Sequence, residues 1–235
     1  TQCGSSQQAT NLAYALVASG TVDVAVGCGV ELMSRVEFGA TTPKDPDSGL
    51  PINHNYFEHH EFTTQFEGSE RIADQWEITR EDCDSFGKMS QDRAARAWSE
   101  DRFGTQVVPV EVPVLDDAGV PTGETTTISR DEGLRETSME ALAGLRPTGR
   151  EDGVHTAATS SQISDGAGAL LLMTAEKAEA LGVTPIARFV DTCLVGSDPA
   201  LMLTGPIGAT AKLLADNAMT IDDIDVVEIN EAFAS

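Results

Sequence analysis

Basic charge is scarce in this chain: fifteen lysines and arginines stand against thirty-eight acidic residues, for a formal net charge of −23. That balance excludes long-range attraction to nucleic acid or to an anionic membrane, so any anionic ligand must be met by local groups. Cysteine is scarce too. The four cysteines, at positions 3, 28, 83 and 193, show no paired or C-x-x-C spacing, which argues against a disulfide framework and a zinc site. No apolar run is long enough to cross a bilayer, and no basic-apolar leader opens the chain. Tandem repeats and low-complexity segments are absent as well. A reducing, cytoplasmic setting is expected, and the acidity reads first as a solvated surface. The chain opens without methionine, inside a motif-bearing turn, and stops just after another, so a piece of a longer protein is expected.

What is present begins at once. Thr1-Gln2-Cys3-Gly4-Ser5-Ser6 leads into Ala9, Leu12, Ala13, Leu16 and Val17, which recur at i, i+3, i+4, i+7 and i+8. This spacing predicts a helix over residues 6–19, and its small, uncharged sides predict burial nearly all round. Cys3 then sits at the positive end of a helix, where free N–H groups and aligned peptide dipoles favour thiolate character and hence nucleophilicity. An inert cysteine in a tight turn fits the same residues.

Downstream the grammar is α/β. Residues 21–29 alternate as a strand after Gly20 ends the helix, with Cys28 expected to pack at the strand end. Residues 39–67, with Pro43, Pro46, Gly49 and Pro51, predict a long loop over a pocket, and its His54, His59 and His60 lack the spacing of a helical metal pair. Helices are predicted over 69–76 and, after a Thr79–Asp82 capping box, up to Trp98, with Cys83 in the core. Residues 106–112 and 125–128 predict an edge strand and a hairpin, and Arg146 and Arg150 are basic groups available to an anion. Gly166-Ala167-Gly168 leads into a buried strand rather than a helix, so it is no dinucleotide fingerprint. Helices starting at Thr174 and Gly205 and strands over 186–195 and 226–229 complete the pattern, with Cys193 structural. Asn230, just past the carboxyl end of the last strand, stands where α/β proteins place functional groups.

Taken together, Gln2-Cys3-Gly4-Ser5-Ser6-Gln7-Gln8-Ala9, Gly27-Cys28-Gly29-Val30-Glu31-Leu32-Met33-Ser34, Ser161-Gln162-Ile163-Ser164-Asp165-Gly166-Ala167 and Asn230-Glu231-Ala232-Phe233-Ala234 resemble the thiolases, the degradative 3-ketoacyl-CoA thiolases above all. The resemblance implies a five-layered α/β/α/β/α fold, here incomplete at both ends. Residues 1–183 would be the later part of the N-terminal half, with a loop domain inserted at about 30–150, and residues 184–235 the start of the C-terminal half. It implies Cys3 as the nucleophile that carries the acyl group and Asn230 as the holder of an ordered water. Ala157, Ser160, Ser161 and Ile163 would touch the pantetheine arm of CoA, and Met202 and Phe233 the acyl pocket. Acyl-CoA and CoA are the implied partners, CoA serving as substrate, with no cofactor and no metal. A homodimer or homotetramer is implied. The family's G-H-P histidine and second cysteine are not in the sequence, His155 falls at a usual apolar strand position, and Ala158-Thr159 replaces a usual Gly-Asn. The chain as it stands is therefore expected to be inactive. A non-catalytic thiolase-like lipid or acyl-CoA binder and a condensing synthase are the competing readings, and the intact asparagine motif speaks against both.

Overall fold

A computed structural model of the chain describes residues 1–43, 45, 47, 49 and 51–235, so Pro46 of the predicted loop lies outside the described residues. Two compact units interleave along the sequence: residues 1–68 with 163–230, and residues 69–162 with 231–235.

In the first unit a 3-10 turn, Gln2–Gly4, runs straight into α1 (Ser5–Ala18). Gly20, at φ 71°, ends that helix where a side chain would be strained. Strand β1 (Val24–Glu31) follows and pairs antiparallel with β4 (Gly166–Met173), from Val24 opposite Met173 to Glu31 opposite Gly166. Helix α1 lies on this two-stranded sheet, and Ala13, Val17 and Leu172 form the buried cluster, flanked by Tyr14, Ala25 and Phe189. Tyr14 stacks on Phe189 at 5.4 Å between ring centroids. The expectation of all-round burial for α1 is corrected here: Leu12 and Leu16 are 57% and 44% exposed. Two strands cover only one side of a helix, so the buried stripe is narrower than the apolar one. For the same reason β4 is not the buried strand expected, since Leu170 and Leu171 are more than half exposed, and Cys28, mid-strand in β1, is exposed rather than packed.

The predicted loop contains a short helix, α2 (His54–His59), whose Asn53 side chain accepts a hydrogen bond from the Asn55 amide. A polar sequence hid it, because its start rests on one cap and not on an apolar period. Helix α3 (Gln65–Gln75) begins earlier than expected.

In the second unit, α4 (Arg80–Ser99) starts at the expected capping box, with the Thr79 amide donating to Asp82 Oδ2 at 2.9 Å and the Asp82 amide to Thr79 Oγ1 at 3.2 Å. Cys83 is fully buried, and Ile72, Ala73 and Leu142 of the same unit are buried too. The hairpin exists, as β2 (Val110–Leu115) and β3 (Pro121–Ile128), with a register shift at Pro113 where the ladder lacks a donor. Helix α5 (Met139–Ala143) is held to α4 by Arg80, whose guanidinium donates to the Leu142 carbonyl at 2.6 Å.

Back in the first unit, α6 (Ala175–Leu181) lies between its Thr174 cap and Gly182 at φ 66°, and α7 (Gly205–Asp216) carries Pro206 in its first turn, both as expected. Residues 186–195 and 226–229 do not form the predicted strands and take part in no ladder among the described residues. A strand exists only with a hydrogen-bonding partner, and none of the described strands pairs with them. Cys193, half-buried, instead donates its thiol to the Ala209 carbonyl at 3.6 Å.

Candidate active site

Cys3 sits in the 3-10 turn ahead of α1, with the Gly4 amide closing the turn onto the Thr1 carbonyl at 2.9 Å. Gln2, immediately before it, holds φ at 45°, a left-handed value that costs a non-glycine residue about 1 kcal/mol or more. No side chain caps α1, because Gly4 occupies the cap position, so the first-turn amides keep their positive potential toward the cysteine. The position of this turn is set from below. A Cβ on Gly27 would stand 2.7 Å from the Thr10 backbone, and one on Gly29 would collide with the Ser6 side chain. Glycine at both places lets the front of α1 lie directly on β1. Just past that contact, Asp165 accepts from the Ser34 amide at 2.8 Å and the Ser34 hydroxyl at 2.6 Å, which ties the end of β1 to the start of β4. Those bonds hold the Asp165 carboxyl below its usual range.

Asn230 belongs to the same unit as Cys3 and is exposed. Neither side chain is engaged by a hydrogen bond among the described residues, which leaves the thiol and the amide free to meet a ligand. Met202 is half-buried with φ 60°, and Ile163 is 71% exposed, both in this unit.

The second unit holds the other expected contacts, and holds them tightly. Thr156 is fully buried, and its amide donates to Thr159 Oγ1 at 2.8 Å. Its hydroxyl in turn accepts from the Ala158 amide at 3.2 Å, and its carbonyl accepts from Ser160 Oγ at 2.8 Å. The Ala158-Thr159 departure therefore closes the turn by its own side chain. Beyond the turn Ser160 bridges Phe233, the Ser161 amide donates to the Ala232 carbonyl at 2.8 Å, and the Ala234 amide donates to the Thr159 carbonyl at 3.0 Å. Two motifs more than seventy residues apart are thus joined as a short antiparallel pair. Beside it lies a cavity of about 160 Å³ lined by Phe86, Gly87, Ser90, Ser160, Ser161 and Phe233. At this volume it is smaller than a typical pocket for a drug-sized ligand. A Cβ on Gly87 would stand 2.6 Å from the Ala158 carbonyl, so α4 reaches the turn only because this position is glycine. Ala157 is exposed at the turn itself. A wider hollow of about 440 Å³ on α4, around Lys88, Arg93 and Arg96, contains none of the motif residues.

The structure thus brings Ser160, Ser161 and Phe233 to one cavity and leaves Ile163 and Met202 in the other unit. Arg150 is not available to an anion as expected, because it is paired with Asp74 at 2.7 Å and Asp152 at 3.3 Å. Glu70 was not legible as a site residue. It is fully buried in α3 and accepts from the Val154 amide at 2.8 Å and the His155 amide at 3.0 Å, which fixes the approach to the turn. An acid amid the buried Ser69, Ile72 and Ala73 was the available signal, since a buried carboxylate must find donors. Cys83 is unsuited to nucleophilic work: burial first, then the charges of Glu70 and Asp84, push its thiol up to about 11.

Residues 1–176 match the thiolase N-terminal domain and residues 183–235 the thiolase C-terminal domain. The chain is 40% identical to the steroid 3-ketoacyl-CoA thiolase FadA6 of Mycobacterium tuberculosis, over 99% of this chain and 56% of that protein. It is 37% identical to the human peroxisomal 3-ketoacyl-CoA thiolase, over 100% of this chain and 54% of the relative. A solved acetyl-CoA acetyltransferase from Syntrophomonas wolfei superposes with a TM-score of 0.81 at 31% identity, covering 99% of this chain and 58% of its own. The chain thus spans just over half the length of the relatives it matches. With both thiolase domains matched in order and the fold shared, the chain belongs to the thiolase family.

Proposed function

We propose that the whole protein is an acetyl-CoA C-acyltransferase that cleaves 3-ketoacyl-CoA with CoA to acetyl-CoA and a shortened acyl-CoA. The observation that carries this reading is the exposed Cys3, set in a left-handed turn at the uncapped front of α1. The Cys3 thiolate attacks the 3-keto carbon, and the bond between C2 and C3 breaks with its electron pair on C2 of the departing acetyl-CoA, which takes up a proton. CoA thiol then attacks the Cys3 thioester, takes the acyl group and returns the cysteine. Asn230 holds a water beside the thioester oxygen, where a donor offsets the negative charge of each tetrahedral intermediate.

Ala157, Ser160, Ser161 and Ile163 meet the pantetheine arm, and Met202 and Phe233 the acyl chain. The narrow cavity beside Ser160, Ser161 and Phe233 supports the first of these assignments, and family resemblance alone supports Ile163 and Met202. No metal or cofactor enters, and CoA is a substrate. We further propose the division of the chain into 1–183, with a loop domain at about 30–150, and 184–235. Assembly as a homodimer or homotetramer and a role in fatty-acid β-oxidation rest on the family. Among the described residues no helix is long and apolar enough to cross a membrane, and all four cysteines are free, which supports a reducing compartment. We place the protein in the cytoplasm, although the human relative is named peroxisomal.

The test is thiolysis of a 3-ketoacyl-CoA by the full-length protein. Cys3→Ala lowers kcat on the order of 10⁴-fold with little change in stability. Activity within tenfold of the parent would move the chemistry to another residue.

A further inference from the structure

His155 is 1% exposed and plays no part in the chemistry above. Its Nε2 lies 3.0 Å from Ser235 Oγ, and Ser235 Oγ donates to the Ser69 carbonyl at 3.2 Å. A carbonyl only accepts, so the one hydroxyl proton of Ser235 points to Ser69, and the serine oxygen must receive its other bond from the imidazole. Nε2 therefore carries the proton. Nδ1, buried and without a hydrogen-bond partner among the described residues, is then a bare lone pair. The ring also lies against Phe233 at 5.2 Å between centroids. Its own backbone is fixed independently, by the hydrogen bond that its amide donates to Glu70.

We propose that His155 is a positioning residue: as a neutral ring donating from Nε2, it clamps Phe233 and Ser235 and so keeps the Ser160–Phe233 strand pair, one wall of the narrow cavity, in register. Protonation releases the clamp. The imidazolium would carry a second, charged N–H at Nδ1, a buried atom without a hydrogen-bond partner among the described residues. Glu70 of α3 is the charged group that faces the ring, with the Arg150–Asp74 pair beyond it, and the turn and residues 231–235 contribute the neutral Thr159, Phe233 and Ser235. Burial pushes the imidazole below its ordinary value, against the opposite pull of Glu70 and of the Ser69 and Thr159 carbonyls. The folded protein thus resists a proton that the unfolded chain accepts. The clamp is complete above the ordinary imidazole value of about 6.5 and weakens as pH falls below it. The consequence for ligand rests on the reading of the cavity as a pantetheine-arm site: affinity for CoA falls with the clamp.

The experiment uses the full-length protein, its His155→Gln variant, which keeps an N–H donor but cannot titrate, and CoA as the probe. Ring ¹⁵N spectra of the parent at pH 7.5 show the Nε2–H tautomer, and a Nδ1–H tautomer overturns the clamp. Between pH 7.5 and 5.5 the protection factors of the Ser161 and Ala234 amides, which divide out the intrinsic base-catalysed rate at each pH, fall severalfold in the parent and stay flat in His155→Gln. The same loss of protection in both proteins overturns it. CoA affinity follows amide exchange if the cavity holds the arm. Exchange that responds while CoA affinity does not leaves the clamp standing and refutes the reading of the cavity.

Discussion

The two units hold their motif residues in opposite ways. The Cys3 and Asn230 side chains are exposed and, among the described residues, unengaged, and glycines in β1 set the position of the turn beneath α1. Around Thr156 nearly every polar group has a partner: Thr156 and Glu70 are fully buried, and the turn is closed by its own hydroxyls. A group that must form and break a covalent bond needs to be free. A surface that must recognise the same flexible arm in every turnover needs to be fixed, because ordering it on each binding event would cost affinity. Under the function proposed above, reactive groups left free and binding groups locked is the division of labour that acyl transfer to a cysteine calls for.

The largest way to break the contrast is to unlock the buried half. Glu70→Ala removes the acceptor of two buried amides, those of Val154 and His155, and lowers stability by about 3 kcal/mol, read as a shift in the urea midpoint. A loss under about 0.5 kcal/mol would show that the turn does not depend on this carboxylate. Gly87→Val forces α4 off the Ala158 carbonyl and costs about 2 kcal/mol, with amide shifts at Ala158 and Thr159 and weakened CoA binding. If the variant binds CoA as the parent does, the approach of α4 has no bearing on the cavity. The smallest effect belongs to the exposed half. Asp165 has a lowered pKa in the folded state, so its contribution is present above the ordinary carboxylate range and disappears as pH falls through the lowered value. Asp165→Asn flattens the acid limb of thermal melting between pH 5 and pH 2, and unchanged pH dependence would remove the Ser34 bond from the account.

The same contrast explains what the sequence made legible. Helices α1, α4, α6 and α7 were readable because their signals are local, such as the Thr79–Asp82 box and the Thr174 and Gly182 boundaries. The Cys3 turn and the Asn230 segment were readable as motifs. What failed was non-local. Residues 186–195 and 226–229 alternate like strands, but periodicity says nothing about whether a ladder partner is present. Leu12 and Leu16 show an apolar face whose cover the sequence cannot specify. Glu70, and the chain from His155 through Ser235 to Ser69, join residues 85, 80 and 166 positions apart, and no spacing rule reaches that far.

The most direct test of the account is where the acyl group goes. Full-length protein is mixed with an acyl-CoA, quenched in acid, digested and mapped by mass spectrometry. The account predicts the acyl mass on the peptide containing Cys3 and on none of those containing Cys28, Cys83 or Cys193. An acyl group carried on any of those three, with Cys3 unmodified in an active preparation, would contradict it.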